Sequence, residues 1–108
     1  MTYPLPERDW KAMRRIKDDL LAILCERINK ESLAILSDPG KSEHEKYLAL
    51  YKHIRESDHV VAECFNDWRR SKLLIRLSAI HAHGVLGAEH MQLLSDETQR
   101  KLKTMAEP

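Results

Sequence analysis

Apolar residues recur every three or four positions over the first third of the chain, which is the spacing of one face of an α-helix. The repeat runs from Trp10 to Ile28, and neither glycine nor proline interrupts the chain between Pro6 and Pro39. Pro6 suits the first helical position, where its missing N–H leaves no hydrogen bond unmade. The pattern therefore predicts a first helix over residues 6–37.

A second apolar repeat alternates steps of four and three residues, which approaches the regularity of a coiled-coil seam. Ser42 and Glu45 precede most of it in the spacing of a capping box, which marks the start of a helix. The repeat predicts a second helix over residues 42–69. The seam consists of Tyr47, Tyr51, Ile54, Asp58, Val61, Phe65 and Trp68.

The phase of the apolar repeat changes after Trp68 by about one residue, a rotation of roughly 100° on a helix. We interpret the change as a break near 69–71, followed by a third helix over 72–83. One continuous bent helix is the alternative, because neither glycine nor proline lies at the break. Gly84 predicts a left-handed cap at the end of the third helix. A helical turn within 85–94 and a short C-terminal helix beginning at Ser95 complete the pattern.

These elements predict a single all-helical domain over residues 1–108. The first two helices should form a long antiparallel hairpin, because a short turn joins them. Pairing residues symmetrically about that turn places Ile28 opposite Tyr51. The hairpin cannot cover both of its wide apolar faces by itself, so we expect a homodimer with a four-helix centre.

Composition narrows the class of protein further. The chain is 43% hydrophobic and 32% charged, which argues against intrinsic disorder, and its net charge is only +1. The longest apolar run, Leu20–Cys25, is far shorter than the roughly 20 residues of a membrane span. Residues 1–6 lack the basic and then apolar pattern of a secretory signal. We therefore expect a cytoplasmic protein that does not enter a membrane.

One dense group of cations follows the second helix. Arg69, Arg70, Lys72 and Arg76 adjoin Trp68, and an aromatic ring beside arginines is a pattern found at single-stranded nucleic acid sites. A nucleic-acid-associated regulator is therefore one functional hypothesis. The structural interpretation is a basic patch that faces the acidic second helix, and four cations are few for tracking phosphates.

Histidine and glutamate residues alternate at helical spacing on the second helix. His53, Glu56, His59 and Glu63 include the i, i+3 pairs that occur in di-iron helical bundles. Such bundles draw their ligands from several helices, so a solvated face with helical salt pairs is favoured over a metal site. His81, His83 and His90 form a second histidine-rich region, for which helix capping is favoured over zinc because no cysteine lies nearby. We expect no cofactor.

Lys17 and Asp58 each interrupt an apolar stripe. In the predicted hairpin register a lysine stem from position 17 reaches the level of Asp58. The pair is interpreted as a buried ion pair that fixes the register or the oligomeric state. A proton-handling pocket is the functional alternative.

Neither cysteine suggests catalysis. Cys25 lies in an apolar run and reads as an inert core thiol, and Cys64 has no histidine at neighbouring helical positions. The two lie about 14–15 Å apart in the predicted register, too far for a disulfide. The leading hypothesis is a non-enzymatic interaction or regulatory protein that binds another protein through its helical surfaces.

Overall fold

The all-α fold is confirmed. The computed structural model describes residues 5–107, and within that range it contains five α-helices and no strand. Residues 1–4, part of the segment assessed for a secretory signal, lie outside the described range. The helices are α1 (Glu7–Leu36), α2 (Glu43–Phe65), α3 (Leu73–Ala82), α4 (Ala88–Met91) and α5 (Asp96–Ala106).

The hairpin of α1 and α2 forms as predicted, and the helices pack against each other. The Ser42 hydroxyl accepts a hydrogen bond from the Glu45 amide at 3.1 Å, and the Glu45 carboxylate accepts one from the Ser42 amide at 3.0 Å. The bond from the Ser42 backbone is the main reason that the pKa of Glu45 lies below its usual value. The capping box therefore sets the start of α2 from local sequence alone.

The second helix ends earlier than the sequence predicts. It stops at Phe65, Asn66 is extended, and Asp67 takes a left-handed conformation with φ of 52°. Aspartate tolerates this conformation better than most residues, and both Asp67 carboxylate oxygens accept hydrogen bonds from Arg69, at 2.6 and 2.9 Å. A 3-10 turn over Arg70–Lys72 then leads into α3. The alternative of one continuous helix is therefore wrong.

The third helix forms the centre of the core. Leu73, Leu77 and Ile80 are fully buried, and α3 packs against both α2 and α5. It ends at the predicted left-handed glycine, since Gly84 has φ of 71°. The amide of Val85 then donates to the carbonyl of Ile80 at 3.0 Å, which closes the helix end.

The core lies at one end of the hairpin. Its buried residues on α1 extend no further than Leu24, and those on α2 are Cys64 and Phe65. None of residues 25–63 is buried. The described chain measures 51 × 28 × 27 Å, so the hairpin projects beyond the core as an elongated arm. We call residues 28–58 the distal half of the hairpin.

The hairpin register differs from the predicted one. The ring of His53 hydrogen-bonds the Ile28 carbonyl oxygen at 3.2 Å, while Tyr51 remains 60% exposed. The prediction that Ile28 faces Tyr51 is therefore wrong by about two residues. Tyr51 and His53 lie about 200° apart around the helix axis, so the face of α2 that meets α1 is nearly opposite the predicted one. The half-buried residues His53, Ser57 and Val60 lie on that face.

Candidate interaction surface

A row of large apolar side chains on the distal half of α2 is exposed. At 100° per residue, Tyr47, Tyr51, Ile54 and Asp58 fall within an arc of about 60°. Tyr47 is 64% exposed and Ile54 46% exposed. Further along the same seam, Phe65 is buried and stacks on Trp68 with ring centroids 5.8 Å apart. The seam is therefore buried in the core at Phe65 and exposed to solvent from Tyr47 to Asp58.

The first helix adds two leucines to this exposed surface. Leu33 is 67% exposed and Leu36 is 46% exposed, although both are large enough to be buried in a core. Exposed leucines that occur singly need no explanation, but a group on one side of a protein does. The leucines form one surface with the exposed seam only if both lie on the same face of the hairpin.

Contacts of α3 identify the face of the hairpin that is covered. The guanidinium of Arg27 donates to the His83 carbonyl, and Glu63 lies 3.2 Å from the His83 ring, so α3 covers the face that carries Arg27 and Glu63. Helical rotation places Leu33 and Leu36 on the side of α1 opposite Arg27. It likewise places the exposed seam on the side of α2 opposite Glu63.

Arg27 of α1 and Glu63 of α2 both face α3. Because the two helices are antiparallel, the residues opposite Arg27 and the residues opposite Glu63 lie on the same side of the pair. The leucines and the seam therefore share the face of the hairpin turned away from α3. We call this surface the distal stripe, and it consists of Leu33, Leu36, Tyr47, Tyr51 and Ile54.

Two polar side chains border the aromatic rings of the distal stripe. The guanidinium carbon of Arg55 lies 5.9 Å from the centre of the Tyr51 ring, and the His44 ring stacks on Tyr47 with a centroid distance of 6.5 Å. Both rings remain exposed beside these contacts. A tyrosine side chain has only two torsion angles to fix, so it loses little conformational entropy when a partner covers it.

The predicted buried pair of Lys17 and Asp58 does not form. Asp58 is exposed and lies beside the distal stripe, while the Lys17 ammonium lies 5.5 Å from the centre of the Trp68 ring. The face of α2 that meets α1 carries His53 rather than Asp58. The Lys17 ammonium instead lies over the electron-rich face of the Trp68 indole. Within residues 5–107, no ion pair or side-chain hydrogen bond engages Asp58.

Lys17 and Asp58 should contribute independently to stability. Lys17→Met and Asp58→Ala, made singly and together, should show a coupling energy near zero in urea denaturation, because the two side chains do not interact. A buried ion pair would instead give a large coupling, since each single variant would leave an unpaired buried charge. A coupling energy of about 2 kcal/mol or more would restore the original pairing.

The basic group after α2 is largely used inside the chain. Arg69 pairs with Asp67, Arg70 donates to the Leu5 carbonyl oxygen at 2.9 Å, and Arg76 donates to the Glu63 carbonyl oxygen at 3.1 Å. Trp68 is half-buried against Phe65, and Lys72 is exposed. Three of these cations therefore hold the turn between α2 and α3, while Arg69 and Lys72 remain exposed to solvent.

The residues of the alternative metal site are not brought together. His53 bonds to the Ile28 carbonyl, Glu56 lies 4.0 Å from Lys52, and Glu63 faces His83. His59 is exposed. Among residues 5–107, no group of three or more histidine, cysteine or carboxylate side chains is arranged to hold a metal ion.

The second histidine-rich region is occupied by local contacts. His83 lies beside Glu63, and His90 accepts a hydrogen bond from the Gly87 amide at 2.9 Å, which caps α4. His81 is half-buried. Capping by histidine therefore occurs at His90 and the start of α4, whereas the sequence suggests it for His83 at the end of α3.

A small cavity with a mixed polar and apolar lining lies between α1, α2 and the end of α3. It has a volume of about 180 Å³ and is lined by Leu24, Arg27, Ile28, Glu31, Ser57, Val60 and His83. Pockets for small organic ligands usually measure about 300–1,000 Å³. The neighbouring His53 cannot serve Ser57 as a base through Nε2, because that nitrogen is occupied as a donor to the Ile28 carbonyl.

A second apolar surface lies between α3 and α5. This open groove of about 540 Å³ contains the side chains of Leu74 and Met105 and is bordered by Arg100 and by the ion pair of Lys101 with Glu97. It presents fewer large apolar side chains than the distal stripe does.

The two thiols have different environments. Burial, reinforced by the charge of Glu63, raises the pKa of Cys64 to about 11, so this thiol stays protonated and unreactive at neutral pH. Cys25, which the sequence placed in the core, is half-buried at the side of α1. Both thiols are free.

Sequence reasoning missed the most buried charged side chain of the described chain. Asp9 is fully buried in the first turn of α1, where a negative charge also interacts favourably with the helix dipole. Its carboxylate accepts hydrogen bonds from the Ser95 amide at 2.8 Å, the Ser95 hydroxyl at 2.8 Å and the Thr98 hydroxyl at 2.6 Å. Asp9 therefore fastens the start of α5 to the start of α1. The only local signal was the capping pattern at Ser95.

No protein-family model matches the chain, and no curated protein or solved structure shows significant similarity to it. None of the helices within residues 5–107 is long and apolar enough to cross a membrane.

Proposed function

We propose that this protein is a non-catalytic interaction module of the cytoplasm, which binds another protein and a second copy of itself through the distal stripe. The observation that carries the proposal is the exposure of five large apolar side chains on one face of the hairpin. Contiguous exposed apolar patches on small proteins mark interaction sites, because their exposure to water is unfavourable until a partner covers them.

The composition of the distal stripe also supports protein binding. Tyrosine is enriched at protein interfaces, because its ring supplies apolar area and its hydroxyl supplies a hydrogen bond. Leucine and isoleucine on the same face provide an apolar surface for an incoming helix. Amphipathic helices are recognised by grooves and faces of this kind.

The other two functional hypotheses receive less support. Binding of nucleic acid would need the cations after α2, of which Arg69, Arg70 and Arg76 already bond within the chain. A metal site would need His53, Glu56, His59 and Glu63 to converge, and their contacts point in different directions. The distal stripe, in contrast, has no covering element in the described chain.

Replacing Tyr51 by aspartate should abolish binding while leaving the fold intact. Tyr51 is 60% exposed, so the substitution removes no core packing, and it places a charge where the partner's apolar surface would lie. The measurement is affinity capture on the immobilised purified protein, with the bound proteins identified by mass spectrometry. We expect the specifically captured protein to fall by at least about tenfold.

His59→Asp is the matched control. It adds the same charge at another exposed position of α2, on a side that does not carry the distal stripe. We expect this variant to capture the same protein as the unmodified chain, with both variants as helical by circular dichroism as that chain. Equal capture by the Tyr51→Asp variant and the unmodified chain would refute the proposed surface.

A further inference from the structure

We infer that the second copy docks antiparallel on α2, in a register that places Tyr47 of each copy against Asp58 of the other. The inference rests on the proposed function and specifies how the distal stripe meets its own copy. Asp58 is then the residue that determines specificity, which accounts for a charged side chain within an otherwise apolar seam.

The spacing of the seam leads to this register. Steps of four and three residues make Tyr47 and Ile54 equivalent positions of a heptad, with Tyr51 and Asp58 as the alternate set. In an antiparallel pair of helices, each position of one set faces a position of the other. If Tyr51 meets Ile54 of the second copy at the centre, Tyr47 must meet Asp58 in the next layer.

The chemistry of the two outer layers is complementary. Tyr47 brings a long ring and a hydroxyl donor, and Asp58 brings a short side chain and a charged acceptor. Hydrogen bonds to a charged acceptor are among the strong ones in proteins. Twofold symmetry repeats the contact, so both Asp58 carboxylates gain a partner and neither is covered by apolar atoms alone.

The flanking positions are compatible with the same arrangement. Leu48, which is 50% exposed, lies about 3 Å along the helix axis from Arg55 of the second copy, whose aliphatic stem can cover the leucine while its charge stays in water. Leu33 and Leu36 lie on the same face and extend the contact beyond α2. Shifting the register by one heptad in one direction would place Asp58 against Ile54, at the cost of an unpaired buried charge. A shift in the other direction would place Asp58 beyond the start of the second copy's α2 and leave it without the Tyr47 hydroxyl.

A double-mutant cycle on self-association tests the register. Sedimentation equilibrium measures the dimer dissociation constant for the unmodified chain, Tyr47→Phe, Asp58→Ala and the double variant. We expect Tyr47→Phe to raise this constant about tenfold, since two symmetry-related hydrogen bonds to carboxylates are lost. In the Asp58→Ala background the same change should raise it less than about twofold, because the acceptor is already absent.

Glu56→Ala is the matched control for Asp58→Ala, since it removes an exposed carboxylate from the same helix outside the distal stripe. In the Glu56→Ala background Tyr47→Phe should still raise the dissociation constant about tenfold, because the Asp58 acceptor is retained. Equal effects of Tyr47→Phe in the unmodified and Asp58→Ala backgrounds, or loss of its effect in the Glu56→Ala background, would overturn the register.

The failure of this inference is distinguishable from failure of the proposed function. A chain that stays monomeric at about 100 µM, a concentration at which a micromolar dimer would form, overturns docking of a second copy. Loss of the captured protein in the Tyr51→Asp variant would still support the distal stripe as a binding surface for another protein.

Discussion

Asp9→Ala should lower the free energy of unfolding by about 3–5 kcal/mol. The Asp9 carboxylate is fully buried and accepts three hydrogen bonds from the first turn of α5. Alanine would leave the Ser95 amide, the Ser95 hydroxyl and the Thr98 hydroxyl without this acceptor. Buried donors without partners are costly, because unfolding would return them to water. Urea denaturation followed by circular dichroism measures the loss.

A second readout locates the effect of Asp9→Ala in the structure. Hydrogen exchange of the amides in α5 should become faster than that of α2, because Asp9 fastens the start of α5 to α1. Asp19→Ala is the control, since Asp19 is an exposed aspartate of the same helix and its loss should cost less than about 0.5 kcal/mol. Similar losses in the two variants would show that the buried contact with α5 contributes no stability.

Leu77→Ala should cost about 2–5 kcal/mol, the usual range for removing a leucine side chain from a well-packed core. Leu77 is fully buried on α3, the helix that packs against both α2 and α5. Its removal opens a cavity where these elements meet, and the loss of transfer free energy adds to the cost of that cavity. Thermal and urea denaturation at a fixed protein concentration measure the change.

Ile75→Ala is the control for the core substitution. Ile75 lies two residues away on the same helix and is 53% exposed, so its truncation should change the stability by less than about 0.5 kcal/mol. Both variants remove aliphatic carbons from α3, so the difference between them isolates burial. Equal losses for Leu77→Ala and Ile75→Ala would contradict the placement of α3 at the centre of the core.

Sequence alone determined the elements whose ends depend on local chemistry. Ser42 and Glu45 cap α2, Gly84 ends α3 in a left-handed conformation, and Ser95 caps α5, each as predicted. These signals are reliable because the capping groups lie within a few residues of the backbone atoms that they satisfy. The all-α class follows from the same local information, summed over long periodic segments.

The end of α2 shows where local information was insufficient. The apolar seam continues through Phe65 to Trp68, so its periodicity predicted a helix to residue 69. The structure ends α2 at Phe65, because Asp67 bonds to Arg69 and Arg70 bonds to the Leu5 carbonyl oxygen. The partner of Arg70 lies at the other end of the sequence, where no pattern around the break could indicate it.

Tertiary structure also decided which face of the hairpin is covered. The face of α2 that carries His53 meets α1, which separates Asp58 from Lys17 and leaves Tyr51 exposed. Periodicity shows that an apolar face exists, but the direction of that face depends on crossing geometry and on where α3 packs. The sequence therefore indicates the apolar seam on α2, but its exposure at Tyr47, Tyr51 and Ile54 is a property of the tertiary structure. Asp9 is the converse case, since its burial depends on Ser95 and Thr98, which the fold brings from the far end of the chain.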